Sequence, residues 1–108
     1  MELAKKTCVP CQGGVTPLQG KEIQEYLAQL PAGWEQGREK SIKKQFVKKN
    51  FADALSFINK IGEIAEHEGH HPDLRLFAYK KVEVELSTHA IGGLSENDFI
   101  LAAKIEKL

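Results

Sequence analysis

The sequence predicts an α+β fold, a four-stranded antiparallel sheet with three helices on one face, in the order α-β-β-α-β-β-α. Three observations lead there. Residues 81–88 alternate without a break: Val82, Val84, Leu86 and Thr88 fall on one side, and Lys81, Glu83, Glu85 and Ser87 on the other. That is a strand with one dry face and one wet face, covered by helices on a single side. Residues 51–65 instead repeat their apolar positions at helical spacing. Turn formers, Pro31 with Gly33 and Gly92 with Gly93, cut the chain into short units. A chain of 108 residues holds one core and needs no staples.

The elements follow in order. Residues 1–17 read as a Gly/Pro-rich N-terminal tail, and 18–108 as the single domain. Residues 20–30 place Ile23, Tyr26, Leu27 and Leu30 on one helical face. Pro31 and Gly33 stop that helix, and Trp34 opens an extended segment. Residues 39–48 read as a strand with imperfect alternation. Asn50, followed by Asp53, caps a second helix whose expected core stripe is Phe51, Ala54, Leu55, Ile58, Ile61 and Ala65. Pro72 disfavours a helical residue before it, so this helix is expected to end near His71. Residues 75–79 form a short strand, and 81–88 the regular one. Ser95 with Asp98 makes a capping box for the last helix, with Leu94 placed to staple against Phe99.

Composition excludes several classes. Fifteen basic residues balance fifteen acidic ones, which leaves no basic patch for nucleic acid or an anionic membrane. No apolar run approaches the roughly 18 residues of a membrane span, and the first residues lack the apolar core of a signal peptide. The expected location is the cytoplasm. Cys8 and Cys11 form a lone CxxC. The other metal-ligand candidates are far away in sequence, and no strand–helix context for a redox pair is evident, so two reduced thiols in a tail are expected.

The chemistry concentrates in histidines at element ends. His70 and His71 close the second helix, His67 precedes them by one turn, and His89 follows the most regular strand. Imidazole gives and takes protons near neutral pH, so two adjacent rings and a third from a strand end can supply an acid and a base around one substrate. Idle capping of a helix C-terminus is the alternative, and metal binding is another. The run His67-Glu68-Gly69-His70-His71 formally matches HExxH. Against zinc hydrolysis stand Gly69 and Pro72, which fail the helix where it should be rigid, and the small size of the domain.

The run Glu66-x-x-x-His70-His71-Pro72-Asp73, then Tyr79, then Ser87-Thr88-His89, then Gly92-Gly93-Leu94-Ser95-x-x-Asp98 resembles the pterin-4a-carbinolamine dehydratase family. The Leu30-Pro31-x-Gly33-Trp34 turn agrees, and the Cys-Val-Pro-Cys-x-Gly-Gly tail is similar to bacterial members. The resemblance implies the fold given above, homodimers or homotetramers, and dehydration of 4a-hydroxytetrahydropterin (4a-hydroxytetrahydrobiopterin) to quinonoid dihydropterin. It also implies a functional link to an aromatic amino-acid hydroxylase, whose pterin is thereby recycled, and no metal or organic cofactor.

Carried over residue by residue, the resemblance implies His70, His71 and His89 as the catalytic histidines. His70 and His89 would transfer protons while His71 chiefly holds the pterin. Glu66, Pro72, Ser87, Thr88, Ala90 and Asp98 are the implied substrate-binding residues, with the backbone from Ser87 to Ala90 facing the polar ring edge. Glu66 either holds an imidazole tautomer or is a solvated helix residue, and Tyr79 is expected to pack. Leu74 stands where many members carry an aromatic, and Lys48 where relatives are often apolar. The alternatives are a non-catalytic dimerisation or binding module of the same fold, and a member acting on another pterin.

Overall fold

The computed structural model describes residues 2–9, 16–37 and 40–108. Cys11 and Glu39, each named in the expectations above, lie outside the described residues, as does most of the Cys-Val-Pro-Cys-x-Gly-Gly run. Among the described residues three α-helices, α1 (Gly20–Leu27), α2 (Phe51–Glu68) and α3 (Glu96–Glu106), accompany four strands, β1 (Glu35–Gly37), β2 (Ser41–Val47), β3 (Asp73–Phe77) and β4 (Lys81–Leu86). The sheet is antiparallel throughout, in the order β1-β2-β4-β3, so the predicted fold class holds. The alternation of β4 does the expected work: Val82, Val84 and Leu86 are fully buried. Burial of each such aliphatic side chain contributes roughly 1.5–3 kcal/mol.

Helix α2 buries Ala54, Ile61 and Ala65 of its expected stripe, but Phe57 joins them in place of Phe51 and Leu55, which are 50% and 42% exposed. The reason lies in the sheet. Phe57 packs on Phe46 of β2, with ring centroids 4.9 Å apart, and the two alanines let the helix lie close to the strands. Lys48, standing where relatives are often apolar, places its ammonium 3.9 Å from the Phe57 ring centroid. It thereby covers the ring by a cation–π contact rather than by apolar packing.

Two glycines aim the chain at the future site. Helix α2 ends at Glu68, earlier than Pro72 alone implied, because Gly69 takes a left-handed conformation (φ 68°) and its N–H bonds back to Ala65. A Cβ is disfavoured there. His70 and His71 therefore leave the helix axis instead of extending it. Gly92 (φ 67°) similarly closes a 3-10 turn, His89–Ile91, just beyond β4. Thr88 N–H donates to the Gly93 carbonyl at 2.8 Å and clasps this turn shut.

Three further expectations are corrected. The third strand runs Asp73–Phe77 rather than 75–79: it stops at Phe77 because Ala78 and Tyr79 are both left-handed (φ 48° and 53°) and form the β3–β4 turn, the geometry that matches strand twist. Tyr79 consequently does not pack in the core and is exposed. The N-terminal segment 2–9 is also more than a loose tail. A 3-10 turn, Leu3–Lys5, packs on α3, and Leu3 and Cys8 join the core. Lys104 on α3 donates to the Ala4 carbonyl at 2.8 Å, and Lys6 pairs with Glu96 at 2.6 Å.

Candidate active site

The site begins with Asp98. The capping box puts this residue at the third position of α3, where its Oδ2 accepts the Ser95 N–H at 3.0 Å. Thr88, buried two residues beyond the end of β4, also reaches Oδ2 with its Oγ1, at 2.8 Å. The remaining oxygen, Oδ1, lies 2.6 Å from His70 Nε2. Asp98 is fully buried and the His70 side chain is 12% exposed. When Asp98 is the acceptor in this contact, His70 donates through Nε2–H and Nδ1 is the ring nitrogen left to accept.

A second pair sits beside the first. His71 Nε2 bonds the Glu66 carboxylate, one turn back on α2. Here both partners stand in water, with side chains 62% and 78% exposed. His89 arrives from the other side of the sheet end, exposed on its 3-10 turn.

A cleft of about 460 Å³ brings these groups together. His70, His71 and His89 line it, with Ser87 and Thr88 just beyond β4 and Ala90 on the 3-10 turn. A neighbouring cleft of about 600 Å³ shares Ser87, Thr88 and His89 and extends past Glu85 and Asp73 on the sheet's open face. His89 thus stands at the junction of two hollows. Such a concave place with a few converging polar groups has the form of a small-molecule site.

Placement of the expected residues divides cleanly. His70, His71, His89, Ser87, Thr88 and Ala90 meet in one cleft. Glu66 reaches it through His71. Asp98, expected among the substrate-binding residues, has no exposed surface and lines neither cleft; it touches the cleft residues His70 and Thr88 from behind. Pro72 is half-buried between His71 and β3 and lines neither cleft. His67 is exposed on the last turn of α2. Since α2 ends at Glu68, His67 and His71 do not share the helical turn that HExxH requires. Among the described residues no group of three or more His, Cys, Asp or Glu is arranged to hold a metal ion, and no helix is long and apolar enough to cross a membrane.

Five lining residues were missed: Cys8, Val9, Glu68, Gly69 and Asn97. Cys8 had been assigned to a tail away from the histidines, yet it borders them. Its thiol is pushed up to about 12 by burial and by the neighbouring Glu68 carboxylate, so it stays protonated at neutral pH and is a poor nucleophile or metal ligand. The only sequence signals were adjacency: Glu68 lies inside the histidine run, and Asn97 beside Asp98.

The chain is similar to several known proteins. Residues 16–108 match the family model described as Pterin 4 alpha carbinolamine dehydratase. A relative from Rubrobacter xylanophilus is 48% identical over 107 residues, covering 99% of this chain and 98% of its own. Another, from Halorhodospira halophila, is 49% identical over 108 residues, covering 100% and 98%. Both are provisionally named pterin-4-alpha-carbinolamine dehydratase. Among solved structures, a Brucella melitensis protein described as a transcriptional coactivator/pterin dehydratase superposes with a TM-score of 0.79 at 32% identity, over 85% of this chain and 97% of that one. A pterin dehydratase-like RuBisCO assembly factor shares the fold, with a TM-score of 0.59 at 23% identity, over 69% of this chain and 87% of its own.

Proposed function

Since the chain belongs to the pterin-4a-carbinolamine dehydratase family, we propose that it is a lyase converting 4a-hydroxytetrahydrobiopterin, or a close pterin analogue, to quinonoid dihydropterin and water. The observation that carries this reading is the buried His70–Asp98 pair opening on the same cleft as His71 and His89.

The reaction needs one proton delivered and one removed. As the C4a–O bond breaks, the N5 lone pair forms the C4a=N5 double bond, the hydroxyl leaves as water, and the N5 proton is lost. His70, with Nε2–H held by Asp98, uses Nδ1 to take the N5 proton. His89, exposed at the junction of the clefts, protonates the leaving hydroxyl. His71, steadied by Glu66, holds the pterin, and the backbone from Ser87 to Ala90 meets its polar ring edge. Each proton transfer is worth roughly 10²–10⁴-fold.

In the cell this activity would return the pterin to an aromatic amino-acid hydroxylase in the cytoplasm. The sheet leaves β1 and β3 as edge strands, which favours pairing between copies in a homodimer or homotetramer.

A stopped-flow dehydration assay with synthetic 4a-carbinolamine tests the reading. Acceleration over the spontaneous rate supports it. No acceleration leaves a binding module, the role suggested by the word coactivator in the Brucella description.

A further inference from the structure

We propose that residues 8 and 9 form a ligand-binding wall of the histidine cleft, on which the Val9 side chain covers the flat apolar face of the pterin ring. This rests on the pterin reading above and adds to it a specificity element from a segment that precedes the family-model match, which begins at residue 16.

Three observations place the wall. First, Cys8 and Val9 line the same cleft as His70, His71 and His89. Val9 is 64% exposed, an unusual state for an isopropyl group fixed beside a cluster of imidazoles. A pterin ring laid on it would remove apolar surface from water on both partners.

Second, the segment is clamped in place. Val9 N–H donates to Asn97 Oδ1 at 3.0 Å, while Asn97 Nδ2 donates to the Val9 carbonyl at 2.5 Å. The side-chain amide thus pairs with both backbone groups of one residue, as a neighbouring strand would. Cys8 N–H donates to Glu68 Oε1 at 2.8 Å, and its Sγ lies 3.7 Å from the Asn97 carbonyl oxygen. Lys104 lies 3.8 Å from Glu68 Oε2 and holds Ala4 as well.

Third, the clamp is built from residues next to the proton-transfer machinery. Asn97 precedes Asp98, and Glu68 precedes the Gly69 turn that aims His70. The wall and the histidines therefore share one rigid frame, which suits a surface that positions a ring against a base.

The wall binds but does not transfer protons, so it acts on KM. Val9→Ser keeps the backbone clamp and is expected to raise KM roughly tenfold with kcat nearly unchanged. Asn97→Asp retains an acceptor for Val9 N–H and suits a helix N-terminus, but it sets an oxygen against the Val9 carbonyl. It is expected to raise KM similarly and to speed alkylation of Cys8 by iodoacetamide, measured in a Cys11→Ser background. Bound 7,8-dihydropterin should slow that alkylation in the parent protein. A merely structural role would move kcat and thermal stability together and leave dihydropterin protection absent, which overturns the wall.

The outcomes separate the two claims. A protein that turns over carbinolamine with the same KM in Val9→Ser keeps its function and loses the wall. If dihydropterin binds without turnover of the carbinolamine, the dehydratase reading falls. The wall is then judged on binding: a roughly tenfold weaker Kd in Val9→Ser supports it, and an equal Kd overturns it. Neither turnover nor dihydropterin binding overturns both.

Discussion

Two imidazole–carboxylate pairs stand side by side in this protein and differ in little but burial. His70–Asp98 joins two elements and is closed off from water, whereas His71–Glu66 spans one helix end and is open to it. In a water-poor setting a charge-assisted hydrogen bond holds one geometry, and removing a partner strands a buried polar group. In water the same contact is worth about 0–1 kcal/mol and is readily exchanged for solvent. The buried pair can therefore fix a tautomer for chemistry. The exposed pair can only bias the orientation of a ring that binds.

The largest expected effect tests the buried pair. Asp98→Asn keeps the shape but gives Thr88, Ser95 and His70 one acceptor oxygen instead of two. It should lower kcat by roughly 10²–10³ and reduce stability by about 1–3 kcal/mol, read by steady-state kinetics and urea unfolding. A fall below about tenfold in kcat would mean that Asp98 only caps its helix.

His71→Ala comes next. Because its proposed task is holding the pterin, it should act mainly on KM, whereas His70→Ala and His89→Ala should act on kcat. Equal kcat losses at all three positions would erase the contrast between the pairs. The exposed carboxylate then sharpens it. Glu66→Gln should change kcat less than about threefold and stability by under about 1 kcal/mol. His67→Ala, on the same turn but outside the cleft, should match wild type in both.

The smallest effect is a pH dependence at a third carboxylate, intermediate in exposure. Glu96 is held below the ordinary carboxylate value, first by the hydrogen bond from Lys6 and also by the one from Tyr26. A depressed acid contributes stability above its unfolded value of 4.5, and that contribution is lost as pH falls through the lower folded value. Glu96→Gln should thus remove a small part of neutral-pH stability, under about 1 kcal/mol given its partial exposure. The difference from wild type should vanish in acid, as followed by chemical denaturation at each pH. A difference that grows on acidification contradicts the assignment.

Much of the molecule was legible because its signals are local. The period of two in residues 81–88, the Asn50 and Ser95 caps, and the succession His70-His71, His89, Asp98 are properties of neighbouring residues. They specified strand, helix starts and the histidine cluster without any knowledge of packing. The inward face of α2 was not local: its apolar residues span a wide arc, and only contact with Phe46 and the sheet chose Phe57 over Phe51 and Leu55. The same limit applies to the pairing of His70 with Asp98, 28 residues apart, and of Cys8 with Glu68, 60 apart. Sequence alone determined which residue types were present and which elements carried them. Which carboxylate was dry, and which segment walled the cleft, was decided by tertiary structure, because burial and long-range hydrogen bonds arise only when distant elements exclude water together.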